Sequence, residues 1–149
     1  NDAALRGCPA VADPGAMLVA RAHDAGIVVV PQVGPSSILL ALMASGMNGQ
    51  RFVFHGYLPV DKLERARRLH ELEARASRET QIFIETPYRN AAMLQSLLEH
   101  CRRDTLLCIA VDLTLPTESV ATRPIALWKR NPPAVERRLV VYLLSRKEA

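Results

Sequence analysis

The chain is 149 residues long, 49% apolar and 23% charged, with a formal net charge of +4. That is about one domain's length with enough apolar content to fill a core, which excludes a disordered chain. No apolar run approaches the roughly 20 residues of a membrane span, and the polar start from Asn1 to Arg6 does not read as a signal peptide, so a cytoplasmic protein without a membrane partner is expected. In chain order, Asp13-Pro14-Gly15 is a turn in which Asp13 or Pro14 opens a helix. Residues 16–25 place Met17, Leu18, Ala22 and Ala25 on one side, and Gly26 follows as a C-terminal cap. Ile27 to Val30, continuous and β-branched, reads as a strand buried on both faces of a parallel sheet. Pro31 to Pro35 breaks it. Ser36 or Ser37 then caps an apolar helix from Ile38 to about Ala44, which ends at Gly46 to Gly49.

Arg51 to Leu58 alternates and reads as a strand. Pro59 and Asp61 open a helix over 61–79, with Leu63, Ala66, Leu69, Leu72 and Ala76 as its single apolar stripe. Six basic and five acidic residues nearly cancel along it, with i,i+4 pairs expected at Glu64–Arg68 and Glu71–Arg75. A solvated amphipathic helix is the plain reading of this face, and contact with RNA is the other. Thr80 to Ile84 is a strand, Asn90 to Cys101 a helix, Thr105 to Val111 a strand and Ile125 to Lys129 a short helical turn. Leu139 to Leu144 is unbroken and belongs inside the sheet. Helices spaced between strands make a two-layer α/β sandwich the natural architecture.

The glycines divide the chain. All seven lie at or before Gly56, so a Gly/Pro-punctuated first third precedes a regular, Gly-free remainder, as expected for two units with different tasks. Of the 19 basic residues, 16 are arginines, whose guanidinium fork suits phosphate, although GC-rich coding gives the same bias. Cys8, Cys101 and Cys108, odd in number and without CxxC spacing, read as reduced thiols, and no metal site is expected.

Three loops follow strands where open α/β sheets place ligands. Gly34-Pro35-Ser36-Ser37 joins a closely approachable backbone to hydroxyls and amides at a helix N-terminus, suited to a carboxylate or phosphate. On spacing alone, a plain N-cap after a tight turn is the favoured reading. Glu85-Thr86-Pro87-Tyr88-Arg89 offers a carboxylate, a hydroxyl, a ring and a guanidinium, or else a helix start with Thr86 capping and Pro87 in the first turn. Asp112 to Glu118 is polar, with Glu118 either a base or a surface residue. A fourth loop, Gly7 to Gly15, precedes the first helix. His23, His55, His70 and His100 are scattered and read as structural, and there is no P-loop, HExxH or triad order.

Taken together, ADPGAMLVARAHDAGIVVVPQVGPSSILLALMASGMNGQRFVFHGYLP, TQIFIETPYR and AVDLTLPTESV resemble the tetrapyrrole methylase superfamily, in particular its branch of small-subunit ribosomal RNA ribose methyltransferases (methyltransferase I). The likeness runs from about Cys8 to Leu144. It implies two α/β domains with S-adenosylmethionine (SAM) held between them, usually in a homodimer. By this likeness, residues 1–34 are a remnant of the first domain, its last helix and strand, and 35–149 are the second domain. It implies SAM contacts from Gly7, Pro9, Ala10 and Val11, from Gly34, Pro35, Ser36 and Ser37, and from Glu85, Thr86, Leu113 and Thr114. Tyr88 and Arg89 are implied on the substrate side, no general base is carried over, and ribosomal RNA of the small subunit is the implied partner. Two departures bear on the acceptor: the branch's Arg-Glu-Leu-Thr-Lys stands here as Val111-Asp112-Leu113-Thr114-Leu115, and its His before Arg is Tyr88. A tetrapyrrole acceptor, or a non-catalytic binding or dimerisation domain, are the alternative expectations.

Overall fold

The computed structural model describes residues 8–147. Its elements are α1 (Gly15–Asp24), α2 (Ser37–Ser45), β1 (Phe52–Tyr57), α3 (Lys62–Arg75), β2 (Thr80–Ile84), a 3-10 turn (Pro87–Arg89), α4 (Asn90–His100), β3 (Leu106–Val111), β4 (Ser119–Pro124), α5 (Ile125–Arg130) and β5 (Val140–Ser145). The five strands form one sheet in the order β1-β2-β5-β3-β4. Only β1–β2 pairs in parallel, and the other neighbours are antiparallel. The unbroken Leu139–Leu144 run is central as expected, because apolar residues on both faces need cover on both faces.

Alternation assigns the faces. Phe83, Leu107, Ile109, Val140, Tyr142 and Leu144 point to one side, where Leu69 and Leu72 of α3, Met93 and Leu97 of α4, and Ile125 and Trp128 of α5 complete the main core. Ile82, Ile84, Cys108, Ala110, Val141 and Leu143 point to the other side and meet Ile38, Ala41 and Leu42 of α2. The sandwich of α3, α4 and α5 on the sheet is the expected one, and α2 covers the opposite face. Burying each such aliphatic side chain stabilises the fold by about 1.5–3 kcal/mol.

Four expectations are corrected. Ile27 to Val30 pairs with no strand among the described residues, and Ile27, Val28 and Val30 are 61%, 83% and 66% exposed. A strand needs a neighbour for its N–H and C=O groups, and neither sheet edge, β1 or β4, takes this segment. Helix α1 forms, with Gly26 left-handed at φ +68° just after it, but it buries no residue, and Met17 and Leu18 are exposed. Strand β4 was not expected, because Ser119-Val-Ala-Thr-Arg-Pro124 carries the half-exposed pattern and the proline tolerated only at a sheet edge. Finally, α3 stops at Arg75 rather than 79, with Asp61 accepting from the Glu64 N–H as its N-cap.

The charged face of α3 is also less solvated than its pattern suggests. Leu63 is exposed, while Arg65 and Glu73 are buried. Arg65 donates from Nε to Ser96 Oγ (2.8 Å) and from Nη1 to the Val60 carbonyl (3.1 Å). Glu73 Oε2 accepts from the Arg102 N–H (2.8 Å) and Thr105 Oγ1 (2.9 Å), pinning the turn between α4 and β3. Neither expected i,i+4 pair forms. Arg68 instead meets Glu71 at 2.8 Å, an exposed contact worth little.

Candidate functional site

Because β2 and β3 both pair antiparallel with β5, they run in the same direction. The loops starting at Glu85 and Asp112 therefore leave the same edge of the sheet, the carboxyl edge at which α/β folds hold ligands. The segment before α2 reaches the same region. Cys8 Sγ lies 3.4 and 3.1 Å from the carbonyl oxygens of Gly34 and Pro35, which ties the 8–15 loop to the turn. Within that loop Asp13 Oδ1 accepts from the N–H groups of Ala10 (2.9 Å) and Gly15 (2.6 Å). Ala12 and Leu113 both pack against the α2 cluster. The structure thus brings Pro9, Ala10 and Val11, Gly34 to Ser37, and Leu113 together on the α2 side. Gly7 lies outside the described residues.

Glu85 is placed differently. It continues the Gln81–Phe83 parity of β2, so its side chain turns to the face shared by α4 and Tyr142. Its side chain is fully buried. Oε1 accepts from the Thr86 N–H (2.7 Å) and from Arg89 Nε (3.0 Å). Tyr88, two residues on, is 84% exposed. Thr86 stands at the N-cap position of the 3-10 turn but makes no side-chain capping bond.

Three polar atoms at this edge are buried without a partner among the described residues: Ser36 Oγ, Ser37 Oγ and Glu85 Oε2. Ser36 occupies the N-cap position of α2, and its carbonyl accepts from the Leu40 N–H (2.9 Å), yet its hydroxyl caps nothing. A capping serine would have used that hydroxyl. A buried, unsatisfied polar group costs about 1–3 kcal/mol, so orphaned atoms at one sheet edge mark where a ligand's polar groups have something to bind.

The loop after β3 is held by an interaction between residues too far apart in the chain for local pattern to reveal. Asp112 Oδ2 accepts from Arg138 Nε (2.9 Å) and Thr117 Oγ1 (2.8 Å), and Oδ1 accepts from the Leu139 N–H (3.2 Å). Burial pushes the Asp112 carboxyl up, but these hydrogen bonds and the guanidinium charge outweigh it and hold the group below its ordinary value. Asp112 and Thr114 have left-handed backbones, φ +50° and +69°. That conformation is strained for a β-branched threonine. Glu118 accepts from the Thr114 N–H (3.3 Å) and is exposed.

Elsewhere the titratable groups are structural. His55 Nε2 lies 2.7 Å from Gln81 Oε1 and its Nδ1 3.3 Å from Arg68 Nη2. A neutral ring donating from Nε2 and accepting at Nδ1 satisfies both contacts. Burial pushes the thiols of Cys101 and Cys108 up, and at Cys101 the Glu73 carboxylate adds to it, so both stay protonated and unreactive. Among the described residues no three metal-ligating side chains come together, and no helix is long and apolar enough to cross a membrane.

No family model matches the chain. Among curated proteins it is similar to the ribosomal RNA small subunit methyltransferase I of Vibrio cholerae, 38% identical over 120 residues, which is 80% of this chain and 41% of the relative. The protein of the same description from Mesorhizobium japonicum is 42% identical over 116 residues, 78% of this chain and 39% of the relative. The chain thus spans about two fifths of the length of these relatives. Among solved structures, the methyltransferase CobJ superposes over 94% of this chain and 62% of its own, with a TM-score of 0.61 at 18% identity. A uroporphyrin-III C-methyltransferase from Thermus thermophilus, complexed with S-adenyl homocysteine, covers 93% of this chain and 62% of its own at a TM-score of 0.53 and 18% identity. At that identity the structural likeness speaks to the fold.

Proposed function

We propose, on the premise that the chain belongs to the tetrapyrrole methylase superfamily by its sequence and its fold, that it is the second-domain part of a SAM-dependent methyltransferase acting on small-subunit ribosomal RNA. The observation that carries the cofactor reading is the pair of orphaned hydroxyls at the start of α2, Ser36 Oγ and Ser37 Oγ. SAM carries an amine, a carboxylate, ribose hydroxyls and a purine, which can bond to two hydroxyls. When bound, SAM supplies an electrophilic methyl group on a positively charged sulfur.

The residues of this chain bind and orient. Ser36 and Ser37, at the start of α2, offer hydroxyls beside free backbone N–H groups. Pro9, Ala10, Val11, Gly34 and Pro35 supply backbone and apolar wall on the same side. Leu113 and Thr114 extend that wall after β3, and Glu85 and Thr86 contribute from β2. Tyr88 and Arg89, at the rim, are assigned to the acceptor. No residue is assigned as a general base. Positioning the methyl donor against the acceptor is what the arrangement can contribute, and positioning alone lowers barriers by several kcal/mol.

Residues 1–34 are read as the end of a first domain and 35–149 as the second. The contrast between an α1 that buries nothing and an α2 that seals one face of the sheet supports that division. We assign the protein to the cytoplasm, since Cys8, Cys101 and Cys108 are all free thiols, and to a homodimer on the family resemblance alone. The test is full-length protein with radiolabelled SAM, offered small ribosomal subunits from a methylation-deficient strain and, separately, uroporphyrinogen-type substrates. Label in the RNA is expected. Label only in the tetrapyrrole would move the acceptor, and label in neither, with SAM binding also absent, would leave a non-catalytic domain.

A further inference from the structure

Six cations gather at the end of the sheet away from the candidate site. The pairings Gln81↔Leu144, Leu106↔Ser145 and Leu106↔Pro124 put the starts of β2 and β3 beside the ends of β5 and β4. The backbone closes the same edge: Thr80 N–H donates to the Arg51 carbonyl, Arg146 N–H to Ala76, and Ala126 N–H to Arg103, at 2.9, 2.9 and 3.0 Å. Arg51, Arg78, Arg103, Arg123, Arg146 and Lys147 therefore surround one pole, and a hollow lined by Asp104, Leu106, Pro124, Arg146 and Lys147 opens there. All but the half-buried Arg146 are exposed.

The carboxylates at this pole, Glu79 and Asp104, are fewer than its cations. Asp104 faces Arg102, 3.7 Å away, and among the described residues none of the six cations has a carboxylate within ion-pair distance. The chain as a whole is only +4, so six cations in one region is a concentration of charge rather than its average. Unpaired like charges repel, and a polyanion relieves that repulsion while releasing its own counterions. Five of the six are arginines, whose forked donors match phosphate oxygens. Arg123 lies with its guanidinium 5.0 Å from the centre of the Trp128 ring, which steadies the group while its N–H edges stay available.

We propose that this pole is a second RNA contact, holding phosphates of the backbone about 17 Å from the candidate cofactor edge, the length of a six-residue strand. The proposal rests on the RNA-directed reading above. It assigns the pole to affinity and placement and leaves the methyl transfer itself to the opposite edge.

The test uses full-length protein, a fluorescently labelled fragment of small-subunit ribosomal RNA, and the triple variant Arg103→Gln/Arg146→Gln/Lys147→Gln, whose side chains form no ion pair among the described residues. A control variant, Arg21→Gln/Lys62→Gln/Arg67→Gln, removes the same charge elsewhere. The pole variant is expected to bind RNA at least tenfold more weakly, with its log–log salt slope shallower by about two, while SAM affinity is unchanged and the control is nearly wild type. Equal loss in both variants, no change in the pole variant, or no RNA affinity in the wild type overturns the proposal. The radiolabel assay separates the two readings: a pole-dependent RNA affinity without methyl transfer to RNA refutes the RNA methyltransferase reading and leaves the pole standing.

Discussion

Arg138 donates through Nε to Asp112 Oδ2 at 2.9 Å, and its Nη2 forms an ion pair with the same oxygen at 2.8 Å. Its Nη2 also reaches the Thr117 carbonyl at 2.8 Å. The chain segment entering β5 is thereby fastened to the loop leaving β3, and the left-handed Asp112 backbone is held in place. Replacing Arg138 with Leu strands a mostly buried carboxylate and should cost about 2–3 kcal/mol in urea unfolding. A loss below about 0.5 kcal/mol would mean the clamp is incidental.

The same pair sets an acid limit. The Asp112 carboxyl is held below its ordinary value in the fold, so the unfolded chain takes up its proton first. Its contribution is complete above the unfolded pKa of about 3.9 and is lost as pH falls through the lower folded value. Asp112→Asn should flatten stability against pH in that acid window and leave its slope near neutrality unchanged. Chemical denaturation at several pH values reads this directly.

His55 is held below the usual imidazole range, chiefly by burial. The nearby Arg68 and Arg75 charges add to this, and its hydrogen bond to Gln81 opposes it. Its stability contribution is therefore full above about pH 6.5 and declines as pH falls through the folded value. Proton–nitrogen NMR should find a neutral ring protonated on Nε2 with a midpoint below 6.5. A midpoint above it would contradict the packing described.

Ser36→Ala separates a cap from a binding group. A capping serine lost from a helix costs about 1 kcal/mol. Here the hydroxyl makes no bond and is buried, so the substitution should be neutral or stabilise the protein by up to about 1 kcal/mol. On the cofactor reading, SAM affinity in the full-length protein should nonetheless fall several-fold by calorimetry. Lower stability with unaltered affinity would return Ser36 to the role of a cap.

Arg89→Ala removes a half-exposed guanidinium from the buried Glu85 carboxylate. Stranding that carboxylate should cost about 2–3 kcal/mol with the fold retained, and label transfer to small ribosomal subunits should drop roughly tenfold or more. Unchanged turnover would take Arg89 out of the site.

What could be read from the sequence was what local pattern dictates. TQIFI, TLLCIAV and LVVYLL are rich in apolar and β-branched residues, and each became a strand buried on both faces. Asp61 capped its helix because a carboxylate three residues before a free N–H has little else to do. The resemblance named the loops of the candidate site, yet not their arrangement. It implied SAM contacts from both Glu85 and Ser36, whereas strand parity turns the Glu85 side chain to the face of the sheet opposite α2. Arg65 and Glu73 looked like solvated charges, since their partners, Ser96 and Thr105, stand 31 and 32 residues further on.

The sequence by itself determined that this is an α/β chain whose glycines all fall in its first 56 residues, because hydrophobic period and turn chemistry act over a few residues. Tertiary structure alone decided that, among the described residues, Ile27 to Val30 finds no strand partner and Ser36 and Ser37 keep their hydroxyls unspent, and that Asp112 is clamped by Arg138. It also gathered six cations from five separate segments at one pole. Each of these depends on strand order and direction, which bring together residues that no local window contains.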